Sequence, residues 1–189
     1  MVDATGLETR HASRDYEWRR GDSRRRQRGW PKLTLVCETA SYLLAGAVVS
    51  PGPSQDSSQF APALKQACDQ VLIDRLLADA AYDAEHHHRL ARETFGIRST
   101  VIALNPRRWR RWPKGRYRRQ MKRRFARRLY GHRWHVESAI SQMKRKLGAE
   151  LRSTSGRSQT EQSFWKFLTH DKSLLRRAAC LFQQSTSGF

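Results

Sequence analysis

The stretch that most constrains this chain is residues 129–147, LYGHRWHVESAISQMKRKL. Placed on a helix at about 100° per residue, it sorts into two adjacent stripes. Leu129, Val136, Ile140, Met143 and Leu147 share one narrow apolar band, and Tyr130, Arg133, Glu137 and Lys144 share the band beside it. The apolar band docks on a core, and docking fixes the polar band at the edge of that core. One phenol, one guanidinium, one carboxylate and one ammonium then line a ledge. Such a ledge can hold a divalent cation on Glu137 beside a phosphate bound by Arg133 and Lys144. The plainer alternative is the charged flank of an amphipathic helix. The two readings part on whether further carboxylates stand elsewhere in a suitable context.

Two aspartates do. Met1-Val2-Asp3-Ala4-Thr5-Gly6 reads as the end of a strand running into a turn, with Asp3 at the strand end. Residues 71–78 (VLIDRLLA) read as a buried strand, although Asp74 and Arg75 interrupt it, and Asp79 follows directly. An aspartate just past the carboxyl end of a buried strand is where ligands bind in open α/β sheets. Asp83 is assigned the cap of the next helix, residues 84–95.

The spacing Tyr130-x2-Arg133-x3-Glu137-x6-Lys144 resembles the signature of bacterial insertion-sequence DDE transposases of the insertion-sequence 4/5 type. Val2-Asp3-Ala4-Thr5-Gly6 resembles the Val-x-Asp-x-Thr-Gly context of their first catalytic aspartate. Ala78-Asp79-Ala80-Ala81-Tyr82-Asp83 resembles the Ala-Asp-x-Gly-Tyr-Asp around the second, with Ala81 in place of glycine. That exchange removes backbone freedom if the position needs a positive φ. The Lys-Leu-x-Leu strand with Pro51-Gly52-Pro53-Ser54 behind it also matches. The family's His-Asn pair is here His170-Asp171. The resemblance implies catalytic and metal-binding roles for Asp3, Asp79 and Glu137, two Mg2+ or Mn2+ ions, and contacts from Tyr130, Arg133 and Lys144 to the end of a DNA strand. It further implies a homodimer synapsing two transposon ends on double-stranded DNA, in the bacterial cytoplasm at the nucleoid.

The expected architecture is one α/β domain over residues 1–189, a ribonuclease-H-like mixed sheet flanked by helices. The element order read from the chain is β-β-β-α-β-α-β-α-α. Residues 32–38 and 42–50 read as strands, antiparallel across the short link 39–41. Residues 57–70 form an amphipathic helix with Asp56 as its N-cap, 98–104 the last strand, and 161–181 a final helix with core candidates Phe164, Phe167, Leu168, Leu174, Leu175 and Leu181. Residues 148–158 are a polar loop, 183–189 fray, and 11–28 form a basic, mobile loop. Only Met1 and Val2 precede Asp3, so the first strand is expected to be incomplete and the catalytic domain truncated at its N-terminus. His86-His87-His88 cannot converge on one ion from successive helical positions, and a solvated first turn is expected there.

A net charge of +20 in 189 residues, with a pI near 11.2, calls for a polyanionic partner. The charge concentrates in a basic segment, 105–128. Thirteen of the 22 residues from 107 to 128 are Lys or Arg, and aromatics are interleaved. Arg107, Arg108, Trp109, Arg110, Arg111 and Trp112 are its candidate backbone-tracking and base-stacking residues. Cys37, Cys68 and Cys180 are isolated, which argues for reduced thiols and against a zinc site. The competing classes are a non-enzymatic basic nucleic-acid-binding protein, and a truncated, inactive transposase remnant. A pure binder explains the cations but has no reason to place carboxylates among them.

Overall fold

Alternation along the strands decides the layering. In the computed structural model, which describes residues 1–9, 30–52, 54–106 and 112–186, a five-residue strand β1 (Val2–Gly6) is followed by the two-residue β2 (Glu8–Thr9). The expected loop at 11–28 and the candidates Arg107, Arg108, Trp109, Arg110 and Arg111 lie outside the described residues. β3 (Pro31–Cys37) sends Leu33, Leu35 and Cys37 into one core and Val36 into a second. A two-residue period with both faces apolar is what a sheet covered on both sides requires.

β4 (Leu44–Pro51), β5 (Arg75–Ala78) and β6 (Ser99–Ile102) complete a five-stranded sheet of order β4-β3-β1-β5-β6. β1–β3 and β3–β4 pair antiparallel, while β1–β5 and β5–β6 pair parallel. The turn from β3 to β4 is closed by Tyr42 at φ 64°. One face is covered by helix α1 (Phe60–Gln70) through Phe60, Ala63, Leu64 and Ala67. Among the described residues no helix is long and apolar enough to cross a membrane.

α1 lies so close to β4 that a Cβ at Gly46 would stand 2.6 Å from the Ala63 carbonyl oxygen and 3.1 Å from the Ala67 nitrogen. Both are backbone atoms and cannot swing aside. Gly46→Ala is therefore expected to destabilise the fold by about 1–3 kcal/mol, read as a lower Tm; an unchanged Tm would show that the two layers slide apart freely.

Beyond β5 come α2 (Glu85–Arg89), α3 (Arg116–Arg123), α4 (Arg127–Tyr130), α5 (Trp134–Leu147) and α6 (Gly156–Thr186). α2 widens into a looser turn at Leu90–Thr94. α5 covers the second face with Val136, Ala139, Ile140 and Met143, and Phe164 and Phe167 of α6 pack against the same core. Lys166 of α6 donates to the carbonyls of Leu147 and Gly148 and so caps the C-terminal end of α5.

Several expectations are corrected. The strand expected at 71–78 is only Arg75–Ala78. Its ladder begins at Arg75–Ser99, Val71 closes the end of α1, and Leu72 is fully exposed. Asp74 belongs to a surface fork with Arg98, at 2.7 and 2.6 Å. The helix expected from 129 is interrupted, because Tyr130 ends α4 and a tighter turn at Gly131–Arg133 leads into α5. The loop at 148–158 contains β7 (Glu150–Leu151), parallel to β2. α6 is longer than expected, and Leu168, Leu175 and Leu181 are exposed, so its buried face ends near His170.

Asp56 caps nothing; it pairs with Lys32. Asp83 does not cap α2, whose first turn follows Ala84. His87 and His88 are buried, not solvated. His87 lies within hydrogen-bond distance of the Tyr82 carbonyl and Ser57, and His88 Nδ1 is 2.7 Å from Thr100 Oγ1. Burial pushes the His88 pKa down to about 4, so the ring is neutral. The Asp171 carboxylate accepts the Leu44 N–H at 3.2 Å, a bond that an asparagine oxygen makes equally well. Ala81 does not have a positive φ, so no glycine is required there.

Candidate active site

β1 and β5 are parallel neighbours in register Val2 to Ala78, and Asp3 and Asp79 each stand one residue further on. Adjacent strands run about 4.8 Å apart, so the two aspartates are side by side. Met1, Leu7 and Leu77 enter the core beneath α5. Asp3 and Asp79 lie two residues from Met1 and Leu77, and the strand period turns both carboxylates toward α5. Asp79 keeps extended backbone angles and so continues the strand direction. Each is steadied by its own next residue: Ala4 N donates to Asp3 at 2.9 Å and Ala80 N to Asp79 at 2.6 Å.

α5 supplies the third acid. Its buried residues Val136, Ala139, Ile140 and Met143 face the sheet, which leaves Glu137 at the edge, as the two stripes require. Arg133 links the groups: its Nη1 is 3.6 Å from Asp79 Oδ1, and its Nη2 bonds Glu137 Oε1. Tyr130, although outside the regular α5 helix, donates its hydroxyl to Asp79 Oδ1 at 3.4 Å. Lys144 Nζ donates to the Gly6 carbonyl at 2.9 Å, tying α5 to the strand that carries Asp3. An open groove of about 490 Å³ runs between the two elements, lined by Asp3, Thr5, Glu137, Ser141 and Lys144.

The charges feel one another. Burial raises the Asp3 pKa, and the negative charges of Asp79 and Glu137 add to the rise against Ala4 N–H and Arg133. For Arg133, burial favours the neutral form, but the Tyr130 hydroxyl, Asp79 and Glu137 outweigh it and raise the pKa. Among the described residues, no three His, Cys, Asp or Glu side chains converge closely enough to ligate one metal ion. A family model described as a transposase DDE domain matches residues 1–170. The chain belongs to the transposase DDE domain family. No curated protein and no solved structure matches it. The family acts in DNA transposition, with DNA as its substrate.

The structure of this transposase domain folds part of the expected basic segment 105–128 into the helix α3. The inner face of α3 buries Tyr117 and Met121, and its N-terminus is capped from α2. Glu85 accepts the Tyr117 and Arg118 N–H groups at 2.9 and 3.0 Å. A Cβ at Gly115 would overlap that carboxylate, so a larger residue there would push the Glu85 side chain out of its capping position. On the outer face Arg116, Arg119, Arg123 and Arg124 line a cleft of about 410 Å³ and, among the described residues, form no ion pair. The signal was the 116, 119, 123 spacing, one face of a helix, hidden within a long segment dense in Lys and Arg. The Trp112 ring is taken up by Lys122 and Arg123, 5.2 and 5.8 Å from its centre.

Proposed function

We propose that this chain cleaves and rejoins DNA at transposon ends, through a ribonuclease-H-like domain of the insertion-sequence 4/5 type. The observation that carries the reading is the convergence of three elements. Asp3, within β1, stands beside Asp79, just past the end of the parallel strand β5, and Glu137 is joined to Asp79 from α5 through Arg133. The donor set fits divalent cations such as Mg2+ or Mn2+, because all three candidates are carboxylates, the oxygen donors such ions take. Asp3, Asp79 and Glu137 would hold two such ions, which when bound supply an activated nucleophile and stabilise the leaving oxygen.

The remaining groups position DNA. Tyr130 orients Asp79 through its hydroxyl. Lys144 engages one of its three N–H donors with Gly6, leaving two for a phosphate at the groove. The α3 arginines take the strand's backbone, and Trp112, already occupied by cations, adds positive charge there more than a free stacking face. A homodimer synapsing two ends at the bacterial nucleoid completes the reading. The test is cation-dependent cleavage of DNA carrying the ends of the encoding element, lost on Asp79→Asn.

The α3 contribution has its own expected result. Replacing Arg116, Arg119 and Arg123 by Gln flattens the log–log salt dependence of DNA affinity by about 0.9 for each phosphate no longer neutralised. An unchanged slope would place the DNA elsewhere.

A further inference from the structure

We propose that the Arg133 guanidinium is the built-in counter-cation of the acid cluster, and that a divalent cation binds there by displacing it. The proposal rests on the functional reading above. Arg133 Nη1 stands 3.6 Å from Asp79 and Nη2 bonds Glu137, so the planar fork lies between two acids that come from different elements. Its charge also reaches Asp3. The acids do not converge on one point as they stand. A wedge of this size between two of them accounts for that, since Mg2+ demands oxygens at about 2.0–2.1 Å.

A bound divalent ion and the guanidinium would place like charges side by side. Arg133 must then leave. It does not leave into nothing: a guanidinium fork matches two phosphate oxygens as well as two carboxylate oxygens. The Arg133 side chain is about one-third exposed, with room to turn outward. Cation binding therefore frees a phosphate ligand, and phosphate binding frees the cation site. Linkage requires that each ligand tighten the other by the same factor.

The test is Mn2+ binding to the full chain, followed by electron paramagnetic resonance, with and without a duplex of arbitrary sequence. Without DNA, Arg133→Gln is expected to bind Mn2+ roughly tenfold more tightly than the wild type. Arg133→Lys, which keeps the charge, stays near the wild type. The duplex tightens Mn2+ binding in the wild type and does so less in Arg133→Gln. Equal or weaker Mn2+ affinity in Arg133→Gln overturns the proposal, and so does the absence of Mn2+ binding in both proteins. If Arg133→Gln shows no thermal unfolding transition, Arg133→Met carries the same expectation. The expected affinities without any DNA cleavage would remove the functional reading and leave the competition standing. Cleavage with unaltered affinities would do the opposite.

Discussion

Replacing Glu137 with Gln abolishes cation-dependent cleavage of transposon-end DNA, a fall of roughly 10³-fold or more, while DNA affinity holds or rises slightly. Gln keeps the shape and one acceptor oxygen but removes the charge that holds a cation on α5. Electrostatic help of several kcal/mol at the reacting phosphate goes with it, and each 1.36 kcal/mol is a factor of ten in rate. Affinity does not fall, because an anion has left a surface that receives phosphate. Arg133 also loses a partner and becomes freer to bind the backbone. Cleavage assays and DNA titrations on the same preparation separate the two effects. Cleavage by Glu137→Gln at the wild-type rate would reduce Glu137 to a surface carboxylate, and its spacing from Tyr130, Arg133 and Lys144 to coincidence.

Replacing Asp83 with Ala lowers stability by about 3–5 kcal/mol, the cost of leaving one member of a buried ion pair alone. The Asp83 side chain is 1 % exposed and accepts three hydrogen bonds: Arg118 Nε at 2.6 Å, Arg118 Nη2 at 2.8 Å and Asn105 N at 2.9 Å. Its removal strands the largely buried Arg118 guanidinium and loosens α3 from the sheet. At about 2–4 °C per kcal/mol for a chain of this size, the Tm falls by roughly 6–20 °C. Pairing Asp83→Leu with Arg118→Met recovers much of the loss, because an apolar pair of similar volume leaves no buried charge unpaired. A Tm within 2 °C of the wild type for Asp83→Ala would show that water reaches Arg118. Since α3 carries the arginine cleft, Asp83→Ala also weakens DNA binding near its lowered Tm and not well below it.

What the sequence by itself determined was whatever depends on period and on chemistry at a strand end. Leu33, Leu35 and Cys37 alternate with Val36, so β3 was legible within one residue at each end. Val136, Ile140 and Met143 recur at helical spacing, so the face of α5 and the edge position of Glu137 were legible too. Asp79 announced itself as a carboxylate just past a strand end, whereas Asp3, expected at one too, lies inside β1, which runs on to Gly6. Tertiary structure alone decided who pairs with whom. Asp83 has the composition of a helix cap, yet Arg118, 35 residues away, claims it. His87 and His88 follow a polar turn, yet Ser57 and Thr100 accommodate them inside. Arg133 sits where a phosphate ligand is expected, and it holds two acids instead. Local period is written in neighbouring residues, whereas the partner of a buried charge is set by which distant elements the topology brings within about 3 Å. No spacing along the chain encodes that distance.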